Sequence, residues 1–222
     1  MSGTFFGIGV GPGDPELLTL KAIKTIANCD IIAVPDSGAP DQVALGIAHS
    51  YIGTKPVMLL DLPMTCDKVK LKEQHEIAAK SISKELDKNK NVGFLTIGDP
   101  MIFSTYNYLH KIISSHGYAT KIIPGVTSFC AAAAALEQPL CESGETLHII
   151  PANYDAKVAL SLDGTKILMK SGKKLNEVIE MLREKGLNGK IAQKVGMDGQ
   201  RLYQELSTDV ESNYFSIIIV KD

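Results

Sequence analysis

The sequence of 222 residues predicts an α/β fold, on three observations. Short apolar runs alternate with longer amphipathic segments over most of the chain, the pattern of βα units that build a parallel or mixed sheet. The composition, 45% hydrophobic and 22% charged, is that of an ordinary globular protein and excludes disordered, collagenous and coiled-coil chains. The tripeptide Gly-Asp-Pro occurs twice, at 13–15 and 98–100, each time after an apolar run and before a helical pattern.

In chain order, Thr4 to Val10 reads as the first strand. Pro15 to Asn28 reads as a helix with Leu18, Ala22, Ile23 and Ile26 on one side and Lys21, Lys24 and Thr25 on the other. Strands are expected at Asp30–Pro35 and Pro56–Leu60, separated by a helix over Asp41–Ser50. Lys68 to Lys88 forms a long helix with Leu71, Ala78, Ile82 and Leu86 on its buried stripe, and Asn91 to Ile97 is the next strand. Met101 to Ser114 is expected to be helical and Tyr118 to Ile123 extended, after which Pro124-Gly125 punctuates the chain.

Beyond that mark the strands lie closer together. A helix over Thr127–Leu136 carries five consecutive alanines and reads as a close-packed interior segment. Strands follow at Thr146–Ile150 and Lys166–Met169, then a helix over Leu175–Lys185 that Gly186 ends as a left-handed cap. Further strands are expected at Lys190–Val195, Arg201–Glu205 and Tyr214–Val220. Two domains are therefore expected, an N-terminal α/β domain at 1–123 and a smaller mixed-sheet α/β domain at 124–222.

Charge and cysteine usage narrow the function. Lys and Arg number 23 against 25 Asp and Glu, and neither domain is a basic body. Only Arg183 and Arg201 are arginines, so a nucleic-acid partner is not expected. Cys29, Cys66, Cys130 and Cys141 show no zinc-type spacing and read as reduced, mostly buried thiols. The histidines form no His-Glu-x-x-His, and no protein-built metal site is expected. The longest uncharged stretch, Ile122–Leu136, contains Pro124 and Gly125 and falls short of the ~20 apolar residues of a membrane helix; no secretory leader is evident, so the expected compartment is the cytoplasm, without a membrane partner.

The opening loop reads Gly7-Ile8-Gly9-Val10-Gly11-Pro12-Gly13-Asp14-Pro15. Its alternate glycines would let the main chain approach a ligand where a Cβ would clash, so a small cofactor is expected there. Dinucleotide spacing fails, because Pro12 or Asp14 occupies the last glycine position. Each Gly-Asp-Pro also has a local explanation, with Asp capping a helix and Pro in its first turn. The recurrence favours more, since two glycine loops leaving strand ends on one sheet edge define a crevice where open α/β sheets bind ligands. Met169-Lys170-Ser171-Gly172-Lys173-Lys174 ends a strand among cations, either a solvated helix start or a cradle for a carboxylate-rich ligand.

Three segments together, Gly9-Val10-Gly11-Pro12-Gly13-Asp14-Pro15-Glu16-Leu17-Leu18-Thr19-Leu20-Lys21, Gly98-Asp99-Pro100 and Pro124-Gly125-Val126-Thr127-Ser128, resemble the tetrapyrrole (corrin/porphyrin) methylase family. The resemblance implies a two-domain fold, each domain a mixed sheet flanked by helices, with S-adenosyl-L-methionine in the inter-domain cleft and commonly a homodimer. Phe103-Ser104-Thr105 departs from the uroporphyrinogen branch. Those residues, with Leu168-Met169-Lys170 and the ending Tyr214–Val220, look like the branch that methylates carbon 20 of precorrin-2 or cobalt-factor II in cobalamin biosynthesis.

Carried over position by position, the resemblance places cofactor contacts at Pro12, Gly98, Asp99, Ile102, Thr127, Ser128, Met169 and Gly196. Asp36, after the second strand, matches a proton-acceptor position of the uroporphyrinogen branch, although Pro35-Asp36-Ser37-Gly38 also reads as a plain turn. Lys170, Lys173, Lys174, Lys194 and Arg201 are candidates to meet the carboxylates of a tetrapyrrole substrate. Methylation of another ring carbon, or of a protein as in diphthine synthase, and a non-catalytic tetrapyrrole carrier remain open at this point.

Overall fold

The computed structural model describes residues 2–36, 42–63, 65, 67–151, 158, 160–206 and 210–221. The chain divides into two compact units, Met1–Thr127 and Ser128–Asp222. The division falls after the extended segment 124–127, because Gly125 is hydrogen-bonded into the first unit through Asp99.

In the first unit, strands β1 (Thr4–Gly9), β2 (Ile31–Pro35), β3 (Val57–Leu60), β4 (Val92–Thr96) and β5 (Ala119–Ile123) form a sheet in the order β3-β2-β4-β1-β5. Every pairing of these strands is parallel, so the mixing of strand directions belongs to the second sheet. The inner strands β2 and β4 read as near-continuous apolar runs because helices cover both faces, whereas the edge strands β3 and β5 keep exposed residues. Helices α1 (Leu20–Asn28) and α2 (Gln42–Ile52) share a core with Ile8, Ile32 and Leu95; α3 (Lys68–Leu86) and α4 (Tyr106–Ser115) share another with Phe5 and Phe94.

Two helices start later than the periodicity predicts. Asp14 caps only a 3-10 turn, Pro15–Leu17; Leu18 is extended, and Thr19 recaps the chain by accepting from the Ala22 N–H at 3.1 Å, so α1 begins at Leu20. The segment expected to open α4 at Met101 is instead a loop. Phe103 sits at φ 48°, and the Ser104 hydroxyl lies 3.0 Å from that of Thr96 while accepting from the Tyr106 N–H, which delays the helix to Tyr106.

In the second unit, β6 (Leu147–Pro151), β7 (Thr165–Met169), β8 (Gly189–Gln193), β9 (Arg201–Tyr203) and β10 (Ser216–Val220) form a mixed sheet in the order β6-β7-β10-β8-β9. Only β6 and β7 run parallel among these pairs. Helix α5 (Ser128–Ala135) packs on β10, and α6 (Leu175–Glu184) buries Leu175, Val178, Ile179 and Leu182 against Leu168, Ile191 and Ile218. Gly186 ends α6 as expected, at φ 65° with Leu187 N–H bonded to Leu182 O at 2.9 Å.

Two packing expectations are corrected. Ala131, Ala132 and Ala133 are buried but Ala134 is exposed, so the alanine run is only partly interior. Cys29 is buried, which pushes its thiol up to about 12, yet Cys130 and Cys141 are exposed; Cys66 lies outside the described residues. No described helix is long and apolar enough to cross a membrane.

His75 of α3 is buried and stacks on Tyr108 of α4, with ring centroids 4.8 Å apart. Burial lowers its pKa below the ordinary histidine value. As pH falls through the ordinary histidine range, the unfolded chain takes up more protons than the folded one. The contribution to stability is thus complete above that range and is lost on descent toward the folded pKa. Melting temperatures between about pH 7 and pH 5 will therefore decline less steeply for His75→Phe, which keeps the ring stack, than for the parent.

Candidate active site

β1 leads through α1 toward the β3 edge of its sheet, while β4 leads through α4 to β5 at the other edge. The chain thus reverses direction between the adjacent strands β1 and β4, and their C-terminal ends form a topological switch point. Both Gly-Asp-Pro loops leave there, since Gly9 is paired with Thr96.

The two loops are tied to each other. Gly11 and Gly98 form an isolated antiparallel bridge, with Gly98 N–H bonded to Gly11 O at 2.7 Å and Gly11 N–H to Gly98 O at 3.4 Å. Gly11 and Gly98 take φ values of 79° and 70°, in the left-handed region that glycine adopts without strain. The segment after β5 completes the cluster: a Cβ at Gly9 would lie 2.6 Å from Gly98 O and 2.7 Å from Gly125 N.

This revises the role expected for the glycines. Gly7 lies under the Tyr106 ring, and Gly9 faces Gly98 and Gly125. Their missing side chains therefore let three stretches of main chain and a tyrosine pack on one another, not on a ligand. Pro12 and Gly13, both buried, follow the bridge.

The first-unit candidates gather at this edge. Pro12, Gly98 and Asp99 belong to the two bridged loops; Ile102, half-buried, closes the second loop through its N–H to Asp99 O at 3.3 Å. Thr127 follows Gly125 by two residues, and its buried Oγ1 has no hydrogen-bond partner among the described residues. A buried hydroxyl without a partner is costly unless a ligand supplies one. Asp36 is exposed at the end of β2, on the same sheet edge, with its N–H bonded to Leu60 O at 2.6 Å; Ser37 and Gly38 lie outside the described residues.

The second-unit candidates also share one edge. Met169 pairs with Ile217 and Gln193 with Ser216, so the ends of β7 and β8 flank the start of β10, and Arg201 pairs with Gln193 one strand further out. Lys170 and Lys194 each leave their strand with positive φ, 59° and 50°, turning the chain sharply at the edge. Met169 is buried; Lys170 is exposed, while desolvation lowers the pKa of its ammonium. Gly196 donates its N–H to Gln200 Oε1 at 2.8 Å, and the Lys194 side chain runs beside Gly199. Arg201 is paired with Glu211 at 2.9 Å, which raises its pKa. Lys173 and the exposed Lys174 lie in the 3-10 turn Gly172–Lys174 that precedes α6, and the Lys173 side chain is outside the described residues. Ser128 begins α5.

Gly125 also belongs to this edge, where the sequence marked only a Pro124-Gly125 break. Among the described residues, no group of three or more His, Cys, Asp and Glu side chains could hold a metal ion.

Residues 4–211 match the family described as Tetrapyrrole (Corrin/Porphyrin) Methylases. The chain belongs to that family. It is 34% identical over 222 residues to the probable cobalt-precorrin-2 C(20)-methyltransferase of Methanocaldococcus jannaschii, covering 97% of this chain and 95% of that tetrapyrrole methylase. Identity to the cobalt-precorrin-2 C(20)-methyltransferase of Salmonella typhimurium is 30% over 230 residues, covering 99% and 97% of the two chains. The tetrapyrrole methylase fold is matched by the crystal structure of uroporphyrin-III C-methyltransferase from Thermus thermophilus complexed with S-adenosylhomocysteine, with TM-score 0.71, 20% identity, and coverage of 99% of this chain and 98% of that one.

Proposed function

We propose that the protein is an S-adenosylmethionine-dependent C-methyltransferase acting on carbon 20 of an early corrinoid precursor, precorrin-2 or its cobalt form, in cobalamin biosynthesis. The observation that carries this reading is near-full-length similarity to the archaeal relative named for that reaction. A cytoplasmic homodimer belongs to the same reading and rests on the family resemblance alone.

The donor set fits the cofactor. Thr127 brings a buried hydroxyl with no partner among the described residues, suited to a carboxylate, amine or ribose hydroxyl, and Ile102 offers apolar surface. Pro12, Gly98, Asp99, Ile102 and Thr127 in the first unit, and Ser128, Met169 and Gly196 in the second, are the proposed contacts. When bound, S-adenosylmethionine supplies a methyl group on a cationic sulfur; its carbon–sulfur bond breaks as the ring carbon bonds the methyl, and that carbon then loses a proton. Asp36, exposed at the end of β2, is the proposed acceptor of that proton. Lys170, Lys173, Lys174, Lys194 and Arg201 would oppose the ring carboxylates; Arg201 must first exchange its exposed Glu211 partner, which costs little at a solvated pair.

The test is incubation of the protein with S-adenosylmethionine and either metal-free or cobalt-loaded precursor, read by mass spectrometry and by proton loss at carbon 20. Gain of one methyl at that carbon supports the reading, and an unmodified ring with both substrates overturns it. In the same series, Thr127→Val will leave the melting temperature unchanged or raised, because it removes an unsatisfied polar atom. It will also weaken S-adenosylhomocysteine binding by about tenfold, the value of one hydrogen bond to a charged group.

A further inference from the structure

The two Gly-Asp-Pro copies spend their carboxylates differently. Asp14 Oδ1 accepts from the Glu16 N–H at 2.8 Å and caps the local turn. Asp99 repeats that bond, with Oδ1 accepting from the Met101 N–H at 2.8 Å, but its Oδ2 accepts from the Gly125 N–H at 3.0 Å. That second partner lies 26 residues further along the chain. It also sits where the main chain is most crowded, since a Cβ at Gly125 would lie 2.1 Å from Gly98 O.

We propose that Asp99 is a positioning residue whose side chain clamps the second loop to the segment leading into Thr127, and that its carboxylate serves the cofactor only through those backbones. Both carboxylate oxygens already accept from main-chain N–H groups, and such charge-assisted bonds are short, directional and strong. The clamp has a structural logic. Gly98 is bridged to Gly11 on one side, and Asp99 joins Gly125 on the other, so one dipeptide holds three separate stretches of chain in register. Asp14, in the twin motif, holds only its own turn among the described residues. The inference rests on the cofactor reading above, which names Gly98, Asp99 and Thr127 among the contacts.

The experiment compares two ligands, S-adenosylhomocysteine and 5′-methylthioadenosine, which lacks the amino-acid end. Affinities are measured by calorimetry on the parent, D99N, D99E, Asp99→Ser and D14N, with amide exchange at Met101 and Gly125 followed by NMR on the ligand-free proteins. A clamp predicts that D99N weakens both ligands by the same factor, about tenfold, and speeds exchange at Gly125. Asp99→Ser keeps an acceptor for Met101 but is too short to reach Gly125, so it will behave like D99N. D99E keeps the charge but misplaces it and will not rescue. D14N will leave both affinities within about twofold, since only a local cap is weakened.

A loss confined to S-adenosylhomocysteine would mean that the carboxylate touches the amino-acid end, and would overturn the clamp. Parent-like affinities in D99E, or unchanged Gly125 exchange in D99N and Asp99→Ser, would do the same. If the parent binds neither ligand, the cofactor reading fails, and the exchange data still decide whether the clamp exists.

Discussion

Gly125→Ala will abolish most methyl transfer and lower the melting temperature by about 10 °C. The added Cβ would stand 2.1 Å from Gly98 O and 2.9 Å from the Gly9 main chain, and both obstacles are backbone that cannot rotate away. Relief requires the Gly98 carbonyl or the 124–127 segment to move, which breaks the Gly11–Gly98 bridge or the Asp99–Gly125 bond. Overpacking of this kind costs about 3 kcal/mol, and for a domain of this size about 1 kcal/mol shifts the melting point by some 3 to 4 °C. A displacement near 1 Å at the loops proposed to hold the cofactor is enough to lower turnover about a hundredfold. Single-turnover kinetics alongside thermal unfolding will read both effects. Gly46→Ala is the control: Gly46 is an exposed position of α2 with no described atom within 4 Å of the new methyl, so it should stabilise the helix by up to about 1 kcal/mol and leave turnover intact.

Tyr106→Ala will be the most damaging single truncation in the first unit. Tyr106 is fully buried, with its ring 5.3 Å from that of Phe5 and 6.2 Å from that of Phe94, and it fills the space that Gly7 leaves open in β1. Its hydroxyl donates to Lys121 O at 3.3 Å, and burial pushes the phenol up to about 12. Deleting the ring opens a cavity against a glycine that cannot collapse into it, so the cost is about 3 to 5 kcal/mol. Tyr106→Phe keeps the ring and removes two long hydrogen-bond contacts of the hydroxyl, with Lys121 O and with His110 Nδ1 at 3.4 Å, for about 1 to 2 kcal/mol. Denaturant unfolding of both variants checks the pair: equal losses would show that the hydroxyl, not the ring, dominates.

All ten described strands were legible, the buried β2, β4 and β10 as near-continuous apolar runs and the edge strands β3, β5 and β9 despite their exposed residues. So was the shared sheet edge, since the repeated Gly-Asp-Pro marked two neighbouring strand exits. Where the reading slipped, a local polar contact had overridden periodicity. Thr19 recaps α1 after Asp14 has spent its carboxylate on a 3-10 turn, and Thr19-x-x-Ala22 is a signal that could have been weighed. The delayed start of α4 was less accessible, because it depends on Phe103 at positive φ and on a hydroxyl pair between Thr96 and Ser104. The left-handed turns at Lys170 and Lys194 carry no compositional mark, since lysine is not a residue that φ favours. Nor could spacing reveal that Gly9 faces Gly98 and Gly125, for that depends on which strands become neighbours.

The strand order also sets a timetable for synthesis. β1 is made before the other strands of its sheet, yet its partners are β4 and β5, at 92–96 and 119–123, and never β2, the next strand in sequence. At translation speeds of about 5 to 20 residues per second, the strand that carries the first glycine loop waits some seconds with both edges bare. Gly125, whose N–H receives the Asp99 clamp, emerges after every strand of that sheet. The first Gly-Asp-Pro loop is thus made before most of this sheet and shaped by some of the last residues of the same unit, so a nascent chain cannot acquire the bridged loops piecemeal.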